Sequence, residues 1–381
     1  MRVSFLTCGP GANVYELCGH AAIRISNGNN GVDDYVVNYG LFDFDSPNFL
    51  YRFVTGQTDY KVGAQPTNYF LQSYYRHGRS VNEYELNLTE TQKQELERLL
   101  WINLQPENSS YRYNYVKDNC ATRPLEIIER AIGDSITFDY EPSSTAGWSF
   151  RDEMKWYHRN YPWYQLGIDM ALGSGIDYKL TTREKAFAPL MLDSLLLHAT
   201  IPDSLGLSQP LVKRFNVLIP EMNGGPTAGP TPWYLTPMFI FWALFIIILI
   251  ISCKNILKHT ESRWLDTVIY SIYGLAGCVI AFLILCSEHE ATSPNWIVVA
   301  LNPFCFIAAI LPWIKKLGKI LYYYHTANFF ILLILGCTWF LTGQIFNMAV
   351  IPLLLIDMLR SDTYRIIWKC KKANIHTIHQ K

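Results

Sequence analysis

Residues 113–133, YNYVKDNCATRPLEIIERAIG, read as a turn that runs into an amphipathic helix, with a cysteine where the two meet. Asp118 or Asn119 is the kind of short polar residue that caps a helix start, Pro124 falls in the first turn where its missing N–H is tolerated, and Gly133 supplies a stop. The pattern predicts a helix over about 120–132 with Cys120 at its N-terminus. A thiol in that place gains thiolate character from the positive end of the helix dipole, and a neighbouring imidazole adds to it. The Asp118 carboxylate opposes that gain if it meets the sulfur, so its side chain is assigned to capping.

The imidazole comes from the other end of the same half. VSFLTCG (3–9) reads as a strand, Gly9, Pro10 and Gly11 as a turn, and ANVYELCG (12–19) as a short helical stretch. HAAIRIS (20–26) and YVVNYGLFDF (35–44) alternate like strands and flank NGNNGVDD, which is rich in residues that accept positive φ. With the turn centred near Asn29 and Asn30, His20 falls opposite Tyr39 to Leu41. Further strands are expected at 60–65 and 79–88, then a helix opened by a Thr89/Gln92 capping box and carrying Leu96, Leu99 and Leu100 on one face. The mixture is an α+β head. Cys120 and His20 are the candidate nucleophile and base; Asn38, Tyr39 and Asp43, on the neighbouring strand, are candidates for a third residue that orients the imidazole. A cysteine at a helix start is more often structural, and a histidine at a strand end is usually an ordinary polar residue.

Across 381 residues Lys plus Arg and Asp plus Glu number 32 each, which points away from nucleic acid. That average hides a break near Pro220, after which almost every long apolar run lies. The expected organisation is a catalytic domain over 1–220, a linker over 221–236 containing GGPTAGPTP, a transmembrane helical domain over 237–372 and a tail over 373–381. About five spans are read: 235–252, 265–286, 296–313, 325–342, and a marginal 347–359 that holds Pro352 and Asp357. Cations follow the first, third and fifth runs (Lys254, Lys258 and Arg263; Lys315, Lys316 and Lys319; Arg360 to Lys372), while 287–295 and 343–347 carry none. That alternation places the head outside and the C-terminus in the cytoplasm. An exported head implies a secretory signal removed ahead of MRVSFLTCGPG, the alternative being the opposite orientation with a cytoplasmic head, and an oxidising location permits a Cys8–Cys18 disulfide. Residues 140–215 are aromatic-rich and fit either a core or a bilayer surface. No CxxC pair or HExxH occurs, so no metal and no cofactor are expected.

Four separated runs, TCGPGANVYELCGHAAIRI (7–25), VVNYGLFDFDSPNF (36–49), GQTDYKV (56–62) and YNYVKDNCATRP (113–124), resemble the N-terminal domain of the Lnb family of lipoprotein N-acyltransferases of Bacteroidetes. A strand His followed about 100 residues later by Asn-Cys also resembles the circularly permuted papain-like fold of the lecithin:retinol acyltransferases. The resemblance implies that Cys120, activated by His20, takes an acyl chain from a membrane phospholipid as a thioester. It then passes the chain to the α-amine of a diacylglyceryl-cysteine lipoprotein in a bacterial inner membrane, with the head in the periplasm. The Cys120 N–H is the natural oxyanion donor. Asn119, Arg123, Arg24 and Arg79 are candidates to meet the substrate, the arginines through a phosphate. His289, Asn295, Asn302 and Asn347, near the outer ends of the spans, are candidates to line a lipid cavity, Asn302 first. For His289 and Asn295 a solvated loop is the commoner explanation. Two rivals remain: a tethered papain-like cell-wall peptidase, which explains the dyad but not the spans, and a non-enzymatic membrane scaffold with an inert Cys120.

Overall fold

The computed structural model describes residues 1–28, 33–133, 135–203, 205–222 and 225–379, apart from the side chains of 374–379. The expected hairpin centre at Asn29 and Asn30 lies outside the described residues. The chain divides into two compact units, one of residues 1–160 and 178–229, the other of 161–177 and 230–381.

The first unit is built on a seven-stranded antiparallel sheet. Its strands are β1 (Arg2–Cys8), β2 (His20–Ser26), β3 (Asp34–Leu41), β4 (Asp59–Pro66), β5 (Val81–Leu86), β6 (Ser110–Arg112) and, after the small hairpin β7 (Thr200–Pro202) and β8 (Ser208–Pro210), β9 (Val212–Ile219). The sheet order is β6-β4-β3-β2-β1-β5-β9. Because β1 is flanked on both sides and covered on both faces, it buries six of its seven residues, which is why its sequence is apolar without strict alternation. β9 lies at an edge, exposes half of its residues and carries Lys213 and Arg214, charges that blunt an open edge.

Helices α1 (Phe49–Val54), α2 (Thr67–Arg76), α3 (Glu90–Leu104), α4 (Thr122–Ile132), α5 (Phe150–Tyr157) and α7 (Leu192–His198) complete the head. α3 begins at Thr89 with the expected capping box to Gln92 and buries Leu96, Leu99 and Leu100. α4 ends at Gly133, whose φ of 87° needs a residue without a Cβ. It starts two residues later than expected, at Thr122, so Cys120 sits in the turn ahead of the helix.

The second unit contains α6 (Pro162–Ala171), α8 (Pro237–Lys258), α9 (Arg263–Cys286), α10 (Cys305–Ile310), α11 (Gly318–Thr338) and α12 (Val350–His379). Among the described residues, three helices are long and apolar enough to cross a membrane: Pro237–Lys258, Arg263–Cys286 and Lys315–Thr342. The expected third span, 296–313, is instead broken into the short helices Trp296–Val299, Cys305–Ile310 and Leu311–Trp313, with Asn302 and Pro303 at the break. Its irregular backbone is shielded by α9. A Cβ on Gly277 would meet the Asn302 backbone at 2.4 Å, so that glycine permits the close approach. Most of the fifth run, from Val350 on, is the start of a 30-residue helix that runs on to His379, into the expected tail. Its polar face is bound inward, where Arg360 pairs with Asp266 through both Nε and Nη2 and also donates to Ser252. Asp357 accepts from the Asn328 amide.

The excursion 161–177 was expected in the head but belongs to this second unit. Within it, Asp169 accepts from the Asn347 side chain, Met170 carbonyl from Asn295, and Asp177 from the Ile345 N–H.

Candidate active site

Asn119 makes the turn that presents Cys120. Its Oδ1 accepts from the Ala121 and Thr122 N–H groups at 2.8 and 3.0 Å, and its amide donates to the carbonyls of Tyr115 and Phe187, both at 2.8 Å. All four bonds are structural, so the residue expected to meet substrate is spent on positioning the nucleophile. Asp118 does not cap. Both its oxygens accept from Arg123, whose guanidinium also lies 3.8 Å over the Tyr111 ring.

β2 presents His20. The β2–β3 ladder pairs Ala22 with Asn38, and the same register continued by two residues sets His20 across from Gly40, as the hairpin reading expected. Gly40 is at φ 83°, and a Cβ there would meet the Cys120 Cβ at 3.3 Å and the Tyr113 ring at 3.5 Å. Cys120 therefore packs against the strand position facing His20. The ladder stops at Ala22, and the N–H groups of Ala21 and of Cys120 itself and the Tyr113 side chain act on the Cys120 sulfur in favour of its thiolate. Cys120 and His20 are both half-buried.

The His20 Nε2 lies 3.2 Å from Asn38 Oδ1. An amide oxygen only accepts, so this contact holds the proton on Nε2 and leaves the Nδ1 lone pair as the basic atom. Among the described residues no hydrogen bond joins the thiol to the imidazole. Of the three orienting candidates, Asn38 alone makes this contact. Tyr39 faces the core, fully buried, and Asp43 spends its carboxylate on the N–H of Asp45 in its own turn.

Burial pushes the Cys120 thiol up to about 11, against the Ala21 N–H, Tyr113, its own N–H and Arg79, which pull it down. Burial pushes His20 down to about 4, with Asn38 acting in the opposite sense. The resting pair is thus neutral, thiol and imidazole, through the neutral range. Cys8 and Cys18 are free thiols, each raised to about 12 by burial.

Residues 1–147 match the family description Lnb N-terminal periplasmic domain, and residues 230–372 match Lnb transmembrane domain. The chain belongs to the Lnb family. Both matches fall in the expected order, so the protein joins a periplasmic domain to a membrane domain and is a membrane protein of the lipoprotein N-acyltransferase kind. No curated protein and no solved structure matches the chain.

Within this Lnb chain the other expected site residues divide. Arg24 is used up by Asp34 and Glu83. Arg79 donates to the Gly9 carbonyl and to Glu16, yet keeps one Nη2 without a hydrogen-bond partner, and its positive charge lowers the pKa of both His20 and Cys120. In the membrane unit, Asn295, Asn302 and Asn347 each hold local backbone or a neighbouring side chain, and Asn295 is buried. His289 caps the short helix Glu290–Thr292 and is half-exposed. These four belong to the second unit, whereas Cys120 belongs to the first. Sequence reasoning missed Tyr113 and Gly40. The only signal for either was the local one: a glycine in mid-strand marks close approach of another backbone.

Proposed function

We propose that the head is a permuted papain-like acyltransferase domain in which Cys120 is the nucleophile, His20 Nδ1 the general base and Asn38 the residue that orients the imidazole. The observation that carries this reading is the Nε2–Asn38 contact of a histidine whose facing strand position, Gly40, lies against Cys120. In the first step Nδ1 takes the thiol proton as sulfur attacks a phospholipid ester carbonyl. The N–H groups of Cys120 and Ala21 are placed to receive the oxyanion. Collapse of the tetrahedral intermediate breaks the C–O bond, the lysophospholipid alkoxide takes the proton from the imidazolium, and the acyl group remains as a thioester. In the second step the neutral α-amine of a diacylglyceryl-cysteine attacks the thioester and His20 accepts its proton. The C–S bond breaks, the thiolate is reprotonated, and an amide is released. A thioester retains enough transfer potential to make that amide, and the neutral resting pair suits a base that removes a proton during attack.

Arg79 is the arginine best placed to meet the donor phosphate. The protein sits in the bacterial inner membrane with its head in the periplasm and its C-terminus in the cytoplasm, because cations cluster after α8, before α11 and along the second half of α12. That alternation requires 296–313 to pass through the bundle, which its burial against α9 makes tolerable. A cell-wall peptidase needs the same dyad but has no use for three apolar helices.

Full-length protein in detergent, incubated with phospholipid, is expected to gain one acyl mass on the peptide containing Cys120. Cys120→Ala should lose both that adduct and lipoprotein N-acylation; equal N-acylation by the two proteins ends the thioester reading.

A further inference from the structure

Between β3 and the end of α1 the head does something a soluble domain avoids. The segment FDFDSPNFLYRF (42–53) packs its aromatic rings on one another at the surface instead of into the core. Phe42 and Phe44 lie 4.7 Å apart, Phe44 and Phe49 5.1 Å, and Tyr15 is 5.8 Å from both Phe42 and Phe44. Phe44 is 58% exposed and Leu50 72%. Scattered apolar residues need no explanation, but a contiguous exposed cluster marks a contact surface.

The cluster is continuous with the sulfur. Phe42 is 5.2 Å from Tyr60, Tyr60 is stacked on Tyr113 at 4.1 Å, and the Tyr113 ring and Cys120 Cβ meet over Gly40, where an added Cβ would lie 3.5 and 3.3 Å from them. An apolar strip therefore starts at the reacting atom and runs out to solvent, all within the head. Its charged members are Asp43, Asp45 and Arg52, and Arg52 is paired with Asp59, so no cationic patch recruits a polyanion.

We propose that this strip is the seat of the donor's fatty acyl chain. The inference rests on the thioester reading. A thioester pins the carbonyl end of the chain at Cys120, so the hydrocarbon tail must lie along whatever apolar surface begins there. Aromatic rings offer broad, rigid, low-entropy faces for it. Each methylene laid on the strip is worth about fourfold in affinity, so the strip selects long-chain donors over short ones.

The test uses the full-length protein in detergent and two donors, a phosphatidylethanolamine with long saturated chains and a water-soluble acetyl ester, with acyl mass on the Cys120 peptide as the readout. In wild type the long-chain donor should be preferred. Phe44→Ser and Leu50→Ser change exposed positions, and each should lower the long-chain to acetyl rate ratio at least tenfold. Leu205→Ser, an exposed leucine in the β7–β8 turn, should leave that ratio at the wild-type value. An unchanged ratio in both strip variants overturns the acyl seat while leaving the thioester intact. Failure of wild type to form an adduct with either donor overturns the thioester, and the seat falls with it.

Discussion

At Cys120 two opposing effects meet, and burial wins. The Ala21 N–H, the Tyr113 side chain, its own N–H and the Arg79 charge favour the thiolate, yet the thiol is still raised to about 11. The fraction of thiolate thus grows about tenfold per pH unit across the neutral and mildly alkaline range instead of levelling off near pH 7. His20, lowered to about 4, stays uncharged over that range and loses its basic lone pair only as the pH falls through that value. Alkylation of Cys120 by iodoacetamide, followed by peptide mapping, should therefore climb roughly 100-fold between pH 7 and 9. A plateau below pH 8 would show a resting ion pair and exclude a neutral dyad. The two proposed residues could be named from the sequence because Asn-Cys before a helix and His at a Gly-flanked strand start are local patterns. The partners of Asn119 were not, since its amide bonds reach Phe187, far along the chain.

At the scale of elements, the site exists because three pieces of backbone come unusually close: the start of β2, the end of β3 and the turn before α4. Gly40 makes that possible, both by its positive φ and by its missing Cβ. Gly40→Ala places a methyl 3.3 Å from the Cys120 Cβ in a strained backbone, which should cost about 1–2 kcal/mol of stability and displace the sulfur from the Ala21 N–H. The expected outcome is a fall of several degrees in melting temperature and loss of the Cys120 adduct, whereas a melting temperature and adduct yield equal to wild type would mean the approach is not tight. Strand and helix limits in the head were readable because capping boxes, alternation and glycine stops are short-range signals, as Thr89, Gln92 and Gly133 show. The break in 296–313 was not. Its residues are as apolar as those of a continuous span, and only packing against α9 decides that the backbone turns at Asn302.

Over the whole molecule, composition separated a polar half from an apolar half but could not show that residues 161–177 leave the first and join the second. That excursion is a short helix with mixed polarity, and its allegiance is set by partners such as Asn347 and Gln344 that lie more than a hundred residues ahead. The membrane unit is itself tied together by buried polar groups. Arg360 joins α12 to α9 through Asp266 and to α8 through Ser252, with the arginine 3% exposed. Replacing one partner strands a buried charge, so Asp266→Leu should cost about 3–5 kcal/mol, while Asp266→Leu with Arg360→Leu should regain most of it. Thermal unfolding in detergent measures both; a double variant no better than the single would show that the pair is worth more than apolar packing.

The position of β9 governs how the head is made. It borders β5, yet it is synthesised only after α5, the excursion and α7. Until residues 212–219 have emerged, β5 pairs only with β1 and its other edge is open to a foreign strand. Export must therefore hold the chain open, or shield that rim, for most of the time the domain takes to cross.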